Sequence, residues 1–257
     1  MYYTAKPMND STYFLRIPSF ADSISNQMIK AHWTDIMSRP FLIVDLRCNG
    51  GGNDQFFDAL MSLTYSGPYF THGVEQYATP DFLAFFKNII AQEPHAEWTD
   101  YMQELTDSMK SHLGNYVLRP GMRRLRLISR DTVYSNPRRI GILIHGRNAS
   151  SAEQYILEAK ESEKVVLFGN ERTAGVLDLS NVFEIPSPSG WFNLYIPTTR
   201  SCRWPDIIID GKGIAPQIPI PYEVSQPEAL QEKDNIGKEI RYIEQVLRGI
   251  SSSDITD

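Results

Sequence analysis

The sequence has little of what would tie it to a metal, an oxidising compartment, a membrane or a nucleic acid. Its 257 residues contain two cysteines, Cys48 and Cys202. They lie far apart and lack metal-ligand spacing, so neither a zinc site nor a disulfide framework is expected. No apolar run reaches the roughly 18 residues of a membrane-spanning helix. The first residues show neither the basic start nor the apolar core of a secretory signal. A formal net charge of −6 argues against a nucleic-acid partner. The one basic cluster, residues 119–130, is short, interleaved with apolar residues, and reads as a solvated strand edge. There is no internal repeat, and low complexity is confined to the polar tail at 251–257. What is present is ordinary for a globular domain, with 42% hydrophobic and 22% charged residues in a chain long enough to bury a large core.

Hydrophobic periodicity divides the chain into alternating strands and helices. Residues 1–11 are polar and irregular. Residues 12–17 read as a strand ended by Pro18, and 23–37 as one amphipathic helix carrying Ile24, Met28, Ile29, Trp33, Ile36 and Met37. Residues 41–46 are almost wholly apolar, as a strand buried on both faces should be. This β-α-β order favours a parallel sheet. Around 79–113 the pattern is helical, with Thr79 as a cap, Pro80 in the first turn, and Pro94 dividing one helix from a second at 97–112. Strands are expected at 140–144 and 165–168, a hairpin at 182–185 and 192–196, and a C-terminal helix running from Ile236 to a stop at Gly249.

Two turns invite chemistry. After the 41–46 strand comes Arg47-Cys-Asn-Gly-Gly-Gly52. Three consecutive glycines suit a tight turn or a close backbone approach to a bound group, and the spacing fits no nucleotide-phosphate fingerprint. After the 140–144 strand, His145 and Gly146 break the apolar run, and helical spacing resumes from Ala152. Ser150 then lies in the first turn of a helix, where free N–H groups could hold an oxyanion formed by attack of its hydroxyl on a carbonyl. An equally direct reading is a capping box between Ser150 and Glu153, which needs no catalysis.

Four segments in order resemble the core of the C-terminal processing (tail-specific) serine peptidases, with the tricorn core proteases and the interphotoreceptor retinoid-binding modules as relatives. They are Tyr13-Phe-Leu-Arg-Ile17; Ile43-Val-Asp-Leu-Arg-Cys-Asn-Gly-Gly-Gly52; Asn148-Ala-Ser-Ser-Ala-Glu153 with Phe168-Gly-Asn-Glu-Arg-Thr-Ala-Gly175; and Asp210-Gly-Lys-Gly-Ile-Ala-Pro216. The resemblance implies an α/β fold of the ClpP/crotonase kind, stacked β-α-β units in a single domain over residues 1–257 with a helical insertion at about 75–118. It implies Ser150 as nucleophile with Ser151 in reserve, and an oxyanion hole from the N–H of Gly51 or Gly52 and that of Ser151. It implies a peptide or protein substrate, no cofactor, and an exported, periplasmic or extracytoplasmic setting of bacterial type. Oligomeric state is left open.

The departures are specific. Val176 stands where the tail-specific branch has its lysine base, so a Ser–Lys dyad is not expected. Asp210 fills the acidic position of the tricorn-like branch, whose histidine lies upstream of the Tyr13 strand and has no counterpart here. The expectation is therefore the C-terminal catalytic part of a longer protein, with the histidine supplied by an N-terminal segment. His145, nearest in sequence to Ser150, is the alternative base. The competing expectation is an inactive module that binds peptides or a hydrophobic ligand in the same cleft.

Overall fold

The computed structural model describes residues 2–95, 98–225 and 237–249. In chain order the elements are β1 (Thr4–Pro7), β2 (Thr12–Arg16), α1 (Ile24–Ala31), α2 (Trp33–Met37), β3 (Phe41–Asp45), a 3-10 turn (Asp54–Phe57), α3 (Asp58–Thr64), β4 (Tyr69–His72) and β5 (Val74–Tyr77). Then come α4 (Pro80–Gln92), α5 (Thr99–Ser111), β6 (Tyr116–Leu118), β7 (Leu125–Ile128), β8 (Arg139–Leu143), α6 (Ser151–Lys160) and β9 (Val165–Gly169). The long hairpin β10 (Leu179–Pro186) and β11 (Asn193–Ser201), the short β12 (Ile218–Pro219) and α7 (Lys238–Gly249) complete the fold.

These elements form two compact units, one of residues 1–69, 129–177 and 209–257, the other of 70–128 and 178–208. The first is built on a six-stranded sheet in the order β1-β2-β3-β8-β9-β12. Its strands are parallel except β1, which pairs antiparallel with β2. β2, β3 and β9 are buried along their whole length, which explains their continuous apolar reading. On one face α7 packs Ile240, Ile243 and Leu247 against Phe14, Ile43, Leu143 and Phe168. This approach is close at Gly141, where a Cβ would fall 2.6 Å from Ile243 Cγ2. Also in this unit, Tyr155 of α6 meets Phe20 and Phe57 in an aromatic cluster with ring centroids 5.5–6.0 Å apart.

The second unit is an antiparallel sheet in the order β10-β11-β5-β6 with the α4–α5 pair. Thr79 caps α4 as its sequence implies, its Oγ1 accepting from Phe82 N–H at 3.1 Å, with Pro80 in the first turn. The helices share a core of Leu83, Phe86, Leu105 and Met109 with Ala78 and Val117. Phe85 of α4 meets Phe183 of the hairpin edge-on at 4.0 Å.

Three local expectations change. Residues 4–7, expected to be irregular, pair as β1 with β2, because the adjacent strand supplies hydrogen-bond partners that no local pattern announces. The helix expected over 23–37 breaks at His32, whose φ of −103° and ψ of 11° separate α1 from α2. His32 Nδ1 also sits 2.8 Å from Tyr13 OH. β5 and β6 went unread because each is short and pairs only with distant partners. Ile236, Glu97 and the 251–257 tail lie outside the described residues.

Candidate active site

Four loops of the first unit, 45–53, 145–150, 171–177 and 209–214, are tied together by backbone and buried side-chain bonds. Two buried asparagines begin the set. Asn148 Nδ2 donates to the carbonyls of Leu46 (2.5 Å) and Asn49 (3.0 Å), while its Oδ1 accepts from His145 N–H at 2.8 Å. Asn49 donates to the Ile17 carbonyl and accepts the Gly51 N–H at 2.9 Å. Both are fully buried, where an amide left without partners would cost about 1–3 kcal/mol.

Beneath them an ion-pair cluster fixes the ends of β2 and β3. The Asp45 carboxylate, 1% exposed, accepts from Arg16 Nε and from Arg47 Nε and Nη2, each at 2.9 Å. Arg47 also pairs with Glu239 of α7. Burial works to raise the Asp45 pKa, but the Arg47 and Arg16 guanidiniums outweigh it and hold the carboxyl below its ordinary range.

Ser150 is the N-cap residue of α6, with φ 55° and ψ −127°. A non-glycine residue in such a sparsely populated region costs on the order of 1–3 kcal/mol and persists only where its surroundings enforce it. They do: Ser150 N–H donates to the Val176 carbonyl at 2.8 Å, and its own carbonyl accepts Gln154 N–H at 3.0 Å. The capping box does not form. Ser150 makes no side-chain cap bond, and Glu153 turns instead to the 173–176 loop. Its buried carboxylate accepts Thr173 Oγ1 (2.5 Å) and Gly175 N–H (2.8 Å) on one oxygen and Val176 N–H (2.9 Å) on the other. Glu153 is fully buried and holds the segment against which Ser150 leans. The sequence signal for this was the acceptor-only residue three positions after Ser150, assigned to the wrong partner.

The glycine turn packs directly on the serine. A Cβ on Gly51, whose φ is +104°, would lie 2.7 Å from the Ala149 carbonyl oxygen and 2.9 Å from Ser150 Cβ. Of the two glycines, Gly51 has its N–H committed to Asn49. The Gly51 carbonyl accepts from Phe20 N–H at 2.9 Å. Because a trans peptide sets C=O and N–H on opposite sides, the Gly52 N–H points away from Phe20. It has no acceptor among the described residues. Ser151 is buried and donates its hydroxyl to the Gly52 carbonyl at 3.1 Å. That bond ties the helix start to the glycine turn and occupies the reserve hydroxyl.

Asp210 is half-buried and accepts Leu177 N–H on Oδ1 at 2.6 Å, next in the chain to the Val176 that holds Ser150. Gly211 N–H donates to the Gly175 carbonyl at 2.9 Å, so the Asp210 loop and the serine loop grip the same short segment. His145 is directed elsewhere: its Nδ1 accepts Arg147 N–H at 3.2 Å and its Nε2 lies 3.5 Å from Glu171 Oε2. No described histidine hydrogen-bonds to Ser150. Among the described residues no group of three or more His, Cys, Asp or Glu side chains could hold a metal. No described helix is long and apolar enough to cross a membrane.

A strained serine at a helix start, uncommitted N–H groups beside it and a carboxylate held on the neighbouring loop are the parts of a serine hydrolase site. Residues 11–220 match the model of peptidase family S41, and the chain belongs to that family, which places it among the serine-type peptidases. No curated protein matches it by sequence. Among solved structures it is similar to mature CPAF complexed with lactacystin, at 17% identity and a TM-score of 0.61, covering 92% of this chain and 51% of that one. It is similar to a candidate peptidase from Parabacteroides merdae, at 16% identity and a TM-score of 0.63, covering 99% and 67%. It is also similar to the photosystem II D1 C-terminal processing protease, at 15% identity and a TM-score of 0.51, covering 98% and 50%. The α/β fold is thus shared at identities where sequence alone is nearly silent. The chain spans about half the length of CPAF and of the photosystem II enzyme.

Proposed function

We propose that this chain carries the catalytic core of a serine peptidase acting on peptide or protein substrates, with Ser150 as nucleophile. The observation that carries the reading is the enforced backbone of Ser150 beside the Gly51–Gly52 turn. Attack of Ser150 Oγ on a peptide carbonyl would place the developing oxyanion within reach of the Ser151 and Gly52 N–H groups, the latter preferred because Gly51 N–H is already bonded. Asp210 would orient a histidine, which takes the Ser150 proton and returns it to the leaving amine. We assign that histidine to a segment outside this chain, since His145 is turned toward Glu171, and we read the fold as ClpP/crotonase-like, in an extracytoplasmic setting.

Fluorophosphonate labelling with peptide mapping tests this, on the chain and on a form extended upstream. Adduct on Ser150 in the extended form is the expected result. No adduct in either form overturns it and leaves the second reading, an inactive module that binds peptides or a hydrophobic ligand, which Val176 in the lysine position favours.

A further inference from the structure

The parallel sheet has a second populated end. Where β8 and β9 begin, opposite the serine loops, the first unit holds a cavity of about 700 Å³ lined by residues from four stretches of chain. Its size falls within the range of small-molecule pockets. Four of its lining residues are cations, Arg138, Arg139, Lys160 and Lys164, against two carboxylates, Glu161 and Glu163. Neither Arg139 nor Lys160 has an ion-pair partner among the described residues.

The neutral polar side chains in the wall share one property. Ser66 Oγ accepts Glu163 N–H at 3.1 Å, Ser162 Oγ accepts Lys164 N–H at 3.2 Å, and Gln217 Oε1 accepts Leu167 N–H at 2.9 Å. In each case a backbone N–H takes up the accepting oxygen. Two hydroxyl protons and one amide NH2 are left as donors without described acceptors. Lys164 belongs to the same set. It is largely buried, and its ammonium gives one of three N–H bonds to the Tyr134 carbonyl at 2.6 Å. Burial lowers its pKa, and it has no ion-pair partner among the described residues. Four cations outnumber the two carboxylates in this wall, and its neutral side chains each keep a donor while their oxygen takes a backbone N–H, so the wall as a whole is complementary to an anion.

We propose that this cavity binds a small organic anion bearing a phosphate or several carboxylates, at a site separate from Ser150. Lys164, Arg139 and Lys160 supply the charge, and Ser66, Ser162 and Gln217 the neutral donors.

The test is calorimetric titration of the chain with pyrophosphate and, separately, with citrate, against sodium chloride at matched ionic strength. Saturable binding of one or both is expected, and which one binds separates a phosphate ligand from a polycarboxylate. Lys164→Met and Arg139→Ala should each weaken binding about tenfold or more, the loss expected for one charge-assisted hydrogen bond. Lys160→Ala, at an exposed position, serves where Lys164→Met impairs folding. Absence of saturable binding to the wild-type chain overturns the proposal, and so does binding that all three variants retain unchanged.

Discussion

The two ends of the parallel sheet use the same material differently. At the serine end, side-chain amides and carboxylates of Asn49, Asn148 and Glu153 bind backbone, and what has no acceptor among the described residues is backbone N–H, at Gly52 and Ser151. At the opposite end backbone N–H groups are committed to Ser66, Ser162 and Gln217, and what remains among the described residues is side-chain donors and four cations against two carboxylates. Backbone donors fixed in a turn suit a charge that appears only during a reaction, since they need not reorganise to meet it. Flexible cations suit an anion that arrives already charged. The chemistry of each end can be read from which partner in each hydrogen bond is left over.

Perturbing one end should leave the other intact. The largest effect is expected at the glycine turn. Gly51→Ala forces a Cβ against the Ala149 carbonyl in a backbone region that L side chains rarely adopt, and should slow acylation of Ser150 about a hundredfold or more. Pyrophosphate or citrate binding should be unchanged. An unaltered labelling rate would remove the turn from the site.

Removing the Asp45 carboxylate comes next. Asp45→Ala leaves Arg16 and Arg47 partly buried without their shared partner and should destabilise the fold by about 3–5 kcal/mol in denaturant unfolding. The pH dependence has a definite sign. The folded-state pKa lies below the ordinary value, so the Asp45 contribution is fully present above about pH 4 and is lost as pH falls through that lower value. A variant with Asn at position 45 should lack this part of the acid-induced loss, and an acid profile identical to wild type would count against it.

Glu153→Gln is milder. One oxygen of the pair becomes an NH2 facing backbone N–H groups, with an expected stability loss of about 1–3 kcal/mol. The labelling rate of Ser150 should fall with little change in concentration dependence, because the 173–176 loop that holds it would loosen. Smallest of all, Lys160→Ala should leave Ser150 labelling unaltered while weakening anion binding. A change in labelling would show the two ends to be coupled.

Much of the serine end was legible in the sequence. The apolar 41–46 and 140–144 runs announce buried parallel strands, and the glycines after Arg47 and the serines before Ala152 mark the turns at their ends. The family resemblance joined them in the right order. The role of Glu153 was not legible, because a Ser-x-x-Glu spacing has a local meaning, the capping box, and the competing partners at 173–176 are brought in only by the fold. Nor could spacing tell Gly51 from Gly52, since what separates them is one Asx-type bond to Asn49. The cavity at the far end was invisible for a related reason. Ser66, Arg139, Lys164 and Gln217 come from separate stretches, and nothing in any one of them signals an anion.

The measurement that bears most directly on the account is the structure of a peptide-aldehyde adduct of the catalytically competent form. A hemiacetal on Ser150 Oγ, its oxygen within about 3 Å of the Gly52 and Ser151 nitrogens, is the result the account requires. An adduct on Ser151, or one on Ser150 whose oxygen meets neither nitrogen, would contradict it.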